Sequence, residues 1–177
     1  MAGRLRSLYL AYFSQPKQYR SLYKLLRSKP LRRITEVGVG QAQRTLRMLE
    51  LCPPTEDTAY TGIDLFEARQ NGDGPGLPLK AAHSLLATTG AKIRLVPGDP
   101  FSALARTANA LARQDLILIS ADQDRESLAK AWFYVPRMLH ETTTVLLEEP
   151  AGDATVLRSV GHEEIAKLAG AKGKRAA

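Results

Sequence analysis

The stretch Glu36-Val37-Gly38-Val39-Gly40-Gln41-Ala42 carries the residue types with the clearest chemical meaning. It follows a short apolar run and precedes an amphipathic stretch, so it reads as a strand–loop–helix turn. Glycines there let the backbone turn tightly and approach a ligand with no Cβ in the way. In an open parallel sheet, such a ligand sits at the carboxyl ends of the strands. A dinucleotide fingerprint needs Gly-x-Gly-x-x-Gly; counting from Gly38, the third position is Gln43, so that motif fails. Glu36 also places a negative charge where a pyrophosphate would lie. An acid at that point suits a cationic or hydroxyl-rich ligand. The competing reading is a tight turn that holds no ligand.

Further acids stand at the ends of other apolar runs. Asp64 closes the run 60–63. Asp99 precedes Pro100, which is also the pattern of a helix N-cap with proline at the first helical position. The run 116–119 ends in Ser120, followed by Asp122 and Asp124. Together with Glu126 these acids also suit a helix start, where the dipole favours negative charge. Glu148 and Glu149 follow the apolar segment 143–147 and are the best-placed acids for binding or base work. His83, His140 and His162 are scattered and read as solvated or structural. Cys52, the one cysteine, reads as packed rather than catalytic.

These residues need a scaffold, and the periodicity supplies one. Leu5, Leu8, Tyr9 and Tyr12 follow i, i+3, i+4, i+7 spacing, as do Tyr19, Leu22, Tyr23 and Leu26. Each set reads as the core-facing stripe of a helix, with Pro16 between the two helices and Pro30 ending the second. Strands are then expected at 34–37, 60–63, 93–96, 116–119 and 143–147. Helices alternate with them on the stripes Ala42/Leu46/Leu49, Leu79/Ala82/Leu86, Leu104/Ala108/Leu111 and Leu128/Ala131/Val135/Leu139. Pro53-Pro54 stops the first of these, and Gly90 suits a C-terminal cap. Residues 155–160 give a last, edge strand and 162–169 a short helix. Five strand–helix units argue for an α/β fold: a Rossmann-like parallel sheet of five to six strands, flanked by helices and preceded by two N-terminal helices.

With 177 residues the chain is of one-domain size, and 44% apolar with 24% charged residues excludes wholesale disorder. A single cysteine excludes a disulfide scaffold. No apolar run approaches the roughly 20 residues of a membrane span. The segment 4–13 is too short and tyrosine-interrupted for a signal peptide, so a cytoplasmic location is the default expectation. The net charge of +7 is uneven: residues 1–35 hold nine Lys or Arg and no acid, while the remainder holds 16 bases against 18 acids. Five of the 11 aromatics also fall in that basic segment, a composition that could serve nucleic acid, an anionic substrate or a membrane surface. The apolar stripes favour helices 1–30 packed on a domain 31–170, with 171–177 as a flexible basic tail.

Over residues 31–150 the sequence resembles the class I S-adenosylmethionine-dependent methyltransferases, nearest to small-molecule O-methyltransferases of the caffeoyl-CoA, catechol or macrocin type. Their first motif is acid-x-Gly-x-Gly-x-Gly, with Ala42 here in place of the last glycine. The resemblance implies S-adenosylmethionine as cofactor and S-adenosylhomocysteine as product. Glu36, Gly38 and Gly40 would shape the methionine side, and Asp64 with Leu65 would take the ribose, two carboxylate oxygens suiting a vicinal diol. Asp99 with Pro100 would lie at the adenine edge, and Ser120 would close the cofactor set. In metal-dependent members an aspartate stands where this chain has Ser120, and an Asp-Asn pair stands near Glu148-Glu149, so a divalent metal is not expected. Asp122, Glu148 and Glu149 remain as catalytic candidates. The implied activity is methyl transfer to a small-molecule acceptor. The alternatives are a non-catalytic ligand- or partner-binding protein of the same fold, and a nucleic-acid-binding module using the basic N-terminus. Oligomeric state is open, a homodimer included.

Overall fold

The computed structural model describes residues 4–52, 58–152 and 154–170. Pro53-Pro54 and the basic tail 171–177 lie outside the described residues. Two helices, α1 (Arg4–Tyr12) and α2 (Arg20–Ser28), precede β1 (Arg33–Val37) and α3 (Gln43–Leu51). The alternation continues with β2 (Ala59–Asp64), α4 (Leu79–Ala87), β3 (Lys92–Pro97), α5 (Pro100–Thr107), β4 (Leu116–Ile119) and α6 (Arg125–Ala131). It closes with β5 (Thr144–Ala151), β6 (Ala154–Ser159) and α7 (His162–Gly170). Among the described residues the strands form one sheet in the order β3-β2-β1-β4-β5-β6. All neighbours are parallel except β5 and β6.

Strand β4 shows why the sheet is covered on both faces. All four of its residues are buried. Leu116 and Leu118 join the core that contains Leu10, Leu22, Tyr23, Met48 and Leu86. Ile117 and Ile119 join the opposite core, with Leu104, Trp132, Val135, Met138 and Ile165. A continuous apolar run of strand length is what such a position demands. Strand β5 extends past the expected Leu147 because Leu146–Ala151 pair with β6. The apolar stripe through Val135 breaks after Ala131, and Pro136 leaves only a 3₁₀ turn at Val135–Met138.

The first helix departs from the sequence-based expectation. Leu5, Leu8, Tyr9 and Tyr12 are all exposed, Leu5 by 84%. The packed face is the interleaved one, Leu10 and Ala11, with Ser14 buried beyond the helix end. Ser14 Oγ donates to the Leu10 carbonyl at 2.6 Å, and its own carbonyl accepts from Arg20 Nε at 2.9 Å. On α2 the expected stripe does pack: Leu22, Tyr23 and Leu26 are buried.

These two faces make a paired test. Leu22→Ala should lower unfolding free energy by about 2–5 kcal/mol, the usual cost of emptying a fully buried leucine site. Leu5→Ala should change it by less than about 0.5 kcal/mol. Urea unfolding followed by circular dichroism reads both.

Candidate functional site

The strand order reverses between β1 and β4, and a crevice opens there at the carboxyl ends of the strands. Gly38 follows β1 with φ +93°. A Cβ on it would lie 2.6 Å from Ser120 Cβ and 2.4 Å from Gln123 Nε2, so the loop can press against the end of β4 only as glycine. Ala42, where the resembling motif has its last glycine, keeps the left-handed conformation at φ +59°. The turn geometry of the motif therefore survives that replacement.

Glu36 points beneath this loop. It is fully buried, and each carboxylate oxygen takes two donors. Oε1 accepts from Arg44 Nη2 at 2.6 Å and Nε at 2.9 Å. Oε2 accepts from Thr45 Oγ1 and Tyr60 OH, both at 2.6 Å. A carboxylate has about four acceptor sites, so Glu36 is saturated. Burial, reinforced by the Glu36 charge, pushes the Tyr60 hydroxyl well above its usual range, which keeps it a neutral donor.

Arg44 carries the network into the crevice. Its Nη2 also donates to the Gly38 carbonyl at 2.9 Å and Ser120 Oγ at 2.6 Å, and Nη1 donates to Glu148 Oε2 at 3.1 Å. Glu148 accepts as well from Tyr19 OH at 2.8 Å and Thr155 Oγ1 at 2.7 Å. Burial would raise the Glu148 carboxyl, but the hydrogen bonds of Thr155 and Tyr19 and the charge of Arg44 hold it below its ordinary value. Burial also pushes Tyr19 up to about 12. A cavity of about 360 Å³ lies over this network, lined by Gly38, Gly40, Arg44, Asp122 and Glu148 among others.

Asp64 forms a second, adjoining cluster. Arg69 grips it with two bonds, Nε to Oδ1 at 3.0 Å and Nη2 to Oδ2 at 2.8 Å. The Gly40 and Phe66 N–H groups add one each, at 2.8 and 3.1 Å. Burial would raise this carboxyl, yet the Arg69 and backbone bonds outweigh it and lower it. Arg69 also donates to the Asp73 carbonyl, and Leu77 N–H donates to Gly40 O at 3.1 Å. Residues 73–77 are thereby strapped across the glycine loop. A smaller cavity of about 50 Å³ is lined by Asp64, Leu65, Asp99, Pro100 and Asp122. Asp99 caps α5 through the Phe101 and Ser102 N–H groups and accepts from the Ser102 and Ser127 hydroxyls. Those bonds overcome its burial and hold its carboxyl at about 2.

The sequence-derived candidates thus separate into groups. Gly38, Gly40, Ser120, Asp122 and Glu148 line the larger cavity. Asp64, Leu65, Asp99 and Pro100 line the smaller one, and Asp122 lines both. Glu36 lines neither, because it is the buried anchor of Arg44. Glu149 lines neither, because Arg158 holds it at 3.0 Å from the outer side of the hairpin. Among the described residues no group of three His, Cys, Asp or Glu side chains is placed to hold a metal ion. Cys52 is buried, its thiol pushed up to about 12 by burial. Arg44, Arg69 and Tyr19 were not among the candidates. Arg44 had a readable signal: a cation in the first turn of a helix opposes the dipole there, so an acidic partner was owed. Arg69 had none, since its reach to Asp64 depends on an irregular turn.

No protein-family profile matches the chain, and no curated protein matches it. Solved structures do. The O-methyltransferase TomG of Streptomyces achromogenes, involved in tomaymycin synthesis and solved in complex with S-adenosylmethionine, aligns over 84% of this chain and 66% of its own, with 16% identity and a TM-score of 0.56. A methyltransferase dependent on S-adenosylmethionine from Agrobacterium tumefaciens aligns over 86% of this chain and 49% of its own, at 13% identity and 0.52. The precorrin-6y C5,15-methyltransferase of Geobacter metallireducens aligns over 79% and 66%, at 14% identity and 0.50. The fold is the Rossmann-like methyltransferase fold, and the chain spans between half and two thirds of the length of these structures. Among the described residues no helix is long and apolar enough to cross a membrane.

Two measurements test the networks. Arg44→Met leaves Glu36 buried and uncompensated, so unfolding free energy in urea should fall by about 3–5 kcal/mol, with part recovered in Glu36→Gln/Arg44→Met. The folded Asp99 carboxyl lies at about 2, below the unfolded value of about 3.9. Its stabilisation is therefore complete above about pH 4 and lost as pH falls towards 2. Asp99→Asn should make the acid limb of an unfolding-midpoint-versus-pH curve shallower.

Proposed function

We propose that the chain binds S-adenosylmethionine across the two adjoining cavities and transfers its methyl group to an acceptor. The observation that carries this reading is the placement of Asp64. It stands at the end of β2, tied by Gly40 N–H to the glycine loop, where two carboxylate oxygens can meet a vicinal diol. The donor set fits a nucleoside with one exchange. Arg69 donates one N–H to each Asp64 oxygen, the number of bonds two ribose hydroxyls would donate, so the diol would replace them. The crowded Gly38 seats the loop against Ser120 and Gln123, so that its backbone forms part of the wall of the larger cavity.

When bound, the cofactor supplies a methyl group on a sulfonium, electrophilic without further activation. The protein's part is then chiefly positioning. Leu65, Asp99 and Pro100 would border the base, and Gly38 and Gly40 would border the methionine chain. Asp122, exposed and shared by both cavities, is the acid with room to face the positive charge. Glu148 carries four donors and Tyr19 sits at about 12, so neither is a ready proton acceptor near neutral pH. An acceptor that is already nucleophilic, small molecule or macromolecule, suits this site best.

A second reading rests on Arg44. Its guanidinium takes the Gly38 carbonyl and Ser120 Oγ, acceptors that a ligand's ammonium would otherwise find free. That favours a protein of this fold that binds a ligand without methyl transfer. Calorimetry with S-adenosylhomocysteine and a methyl-transfer screen separate the readings: binding without turnover selects the second. Under the first, Asp64→Asn should weaken S-adenosylhomocysteine by about ten- to a hundredfold, from about 1.5–3 kcal/mol for bonds to a charged group. Arg69→Ala should tighten it, because the diol no longer has to displace the guanidinium. Chelation with EDTA should leave affinity unchanged. Wild-type affinity in a folded Asp64→Asn protein would refute the ribose role.

A further inference from the structure

The exposed face of α1 is the least explained surface of the molecule. Leu5, Leu8, Tyr9 and Tyr12 form one stripe, and Phe13 continues it past the helix end with 67% of its surface exposed. Five large apolar side chains exposed together exceed the scattered apolar groups normal on a protein surface. The rim beside Tyr12 is cationic, while Arg6 of α1 is paired with Glu50 at 3.2 Å. Lys24 Nζ lies 4.8 Å from the centre of the Tyr12 ring, and the Arg27 guanidinium lies 5.8 Å from it. No acid occurs anywhere in residues 1–35, against nine Lys or Arg.

We infer that this face docks on an anionic lipid bilayer, with α1 lying in the plane of the interface. Leucines and aromatic rings sink to the headgroup boundary while neighbouring Lys and Arg meet the anionic headgroups. A second copy of the chain is the poorer occupant. A twofold contact through this face would gather two sets of Lys24 and Arg27 into one interface, with no acid from residues 1–35 to pair them. Nucleic acid is poorer too: phosphates satisfy the cations but give Leu5 and Leu8 nothing to pack on. Docking also bears on the larger cavity, which Pro16 lines. Pro16 is three residues beyond Phe13, at most about 11 Å along the chain.

The test is co-sedimentation of the full chain with vesicles of phosphatidylcholine alone and of phosphatidylcholine with an equal part of phosphatidylglycerol. The protein should pellet with the anionic vesicles and stay in solution with the neutral ones. Leu5→Asp/Phe13→Asp should lower the fraction bound at least about tenfold, because both side chains must enter the interface. Lys24→Glu/Arg27→Glu should do the same at low salt. Both variants change exposed positions, so an unchanged thermal unfolding curve certifies that the fold is intact. Three outcomes overturn the inference. One is no binding to either vesicle. Another is a dimer in sedimentation equilibrium that Leu5→Asp dissociates. The third is salt-sensitive binding to a single-stranded RNA oligonucleotide that Leu5→Asp/Phe13→Asp leaves intact.

Discussion

The buried charge of Glu36 is the constraint on which the site depends. A carboxylate without water must be neutralised and given four donors, and here three come from the first turn of α3 and one from β2. Arg44 and Thr45 fix the start of α3, and Tyr60 fixes β2. Arg44 then spends its remaining N–H groups on the Gly38 carbonyl, Ser120 after β4 and Glu148 on β5. Glu148 in turn holds Thr155 on β6 and Tyr19 before α2. One acid at the end of β1 thus ties together both sides of the switch point, the antiparallel edge and the N-terminal helices.

Asp64 repeats the device on a smaller scale, with a different consequence. Its arginine comes from a turn five residues on rather than from a packed helix, and that arginine also holds the strap at 73–77. The grip on Asp64 and the cover over the glycine loop are one interaction. A ligand that took Asp64 would loosen the cover, and its measured affinity would be lowered by the fraction of molecules still closed. Arg44 has no such freedom, being 10% exposed and held by six acceptor contacts.

Much of this was legible in the sequence, for physical reasons that differ by element. The parallel sheet was readable because strands such as Leu116–Ile119 must be apolar on both faces. Asp99-Pro100 was readable as a cap because its chemistry is local. The glycine loop was readable because tight turns demand particular residues. The role of Glu36 was not, because an acid at a strand end looks the same whether it faces a ligand or an arginine eight residues on. Nor was the packed face of α1. Two stripes interleave there, Leu5/Leu8/Tyr9/Tyr12 and Leu10/Ala11, and periodicity ranks the more apolar one first. Tertiary packing chose the other: Leu10 and Ala11 join the core that holds Leu22 and Tyr23 of α2.

The two ends of the sheet are protected unequally. Strand β3 presents Lys92, Arg94 and Pro97 as exposed residues along one open edge. Charges and a proline there deny a foreign strand a place to pair. Strand β6, at the other edge, presents Thr155, Val156 and Leu157, with Val156 exposed and Arg158 occupied by Glu149 and Glu164. That edge combines β-branched residues with a single guarding cation, itself held by two acids. Of the two described sheet edges, β6 is therefore the less defended against strand addition by another chain, and it belongs to the hairpin whose Glu148 and Thr155 line the larger cavity.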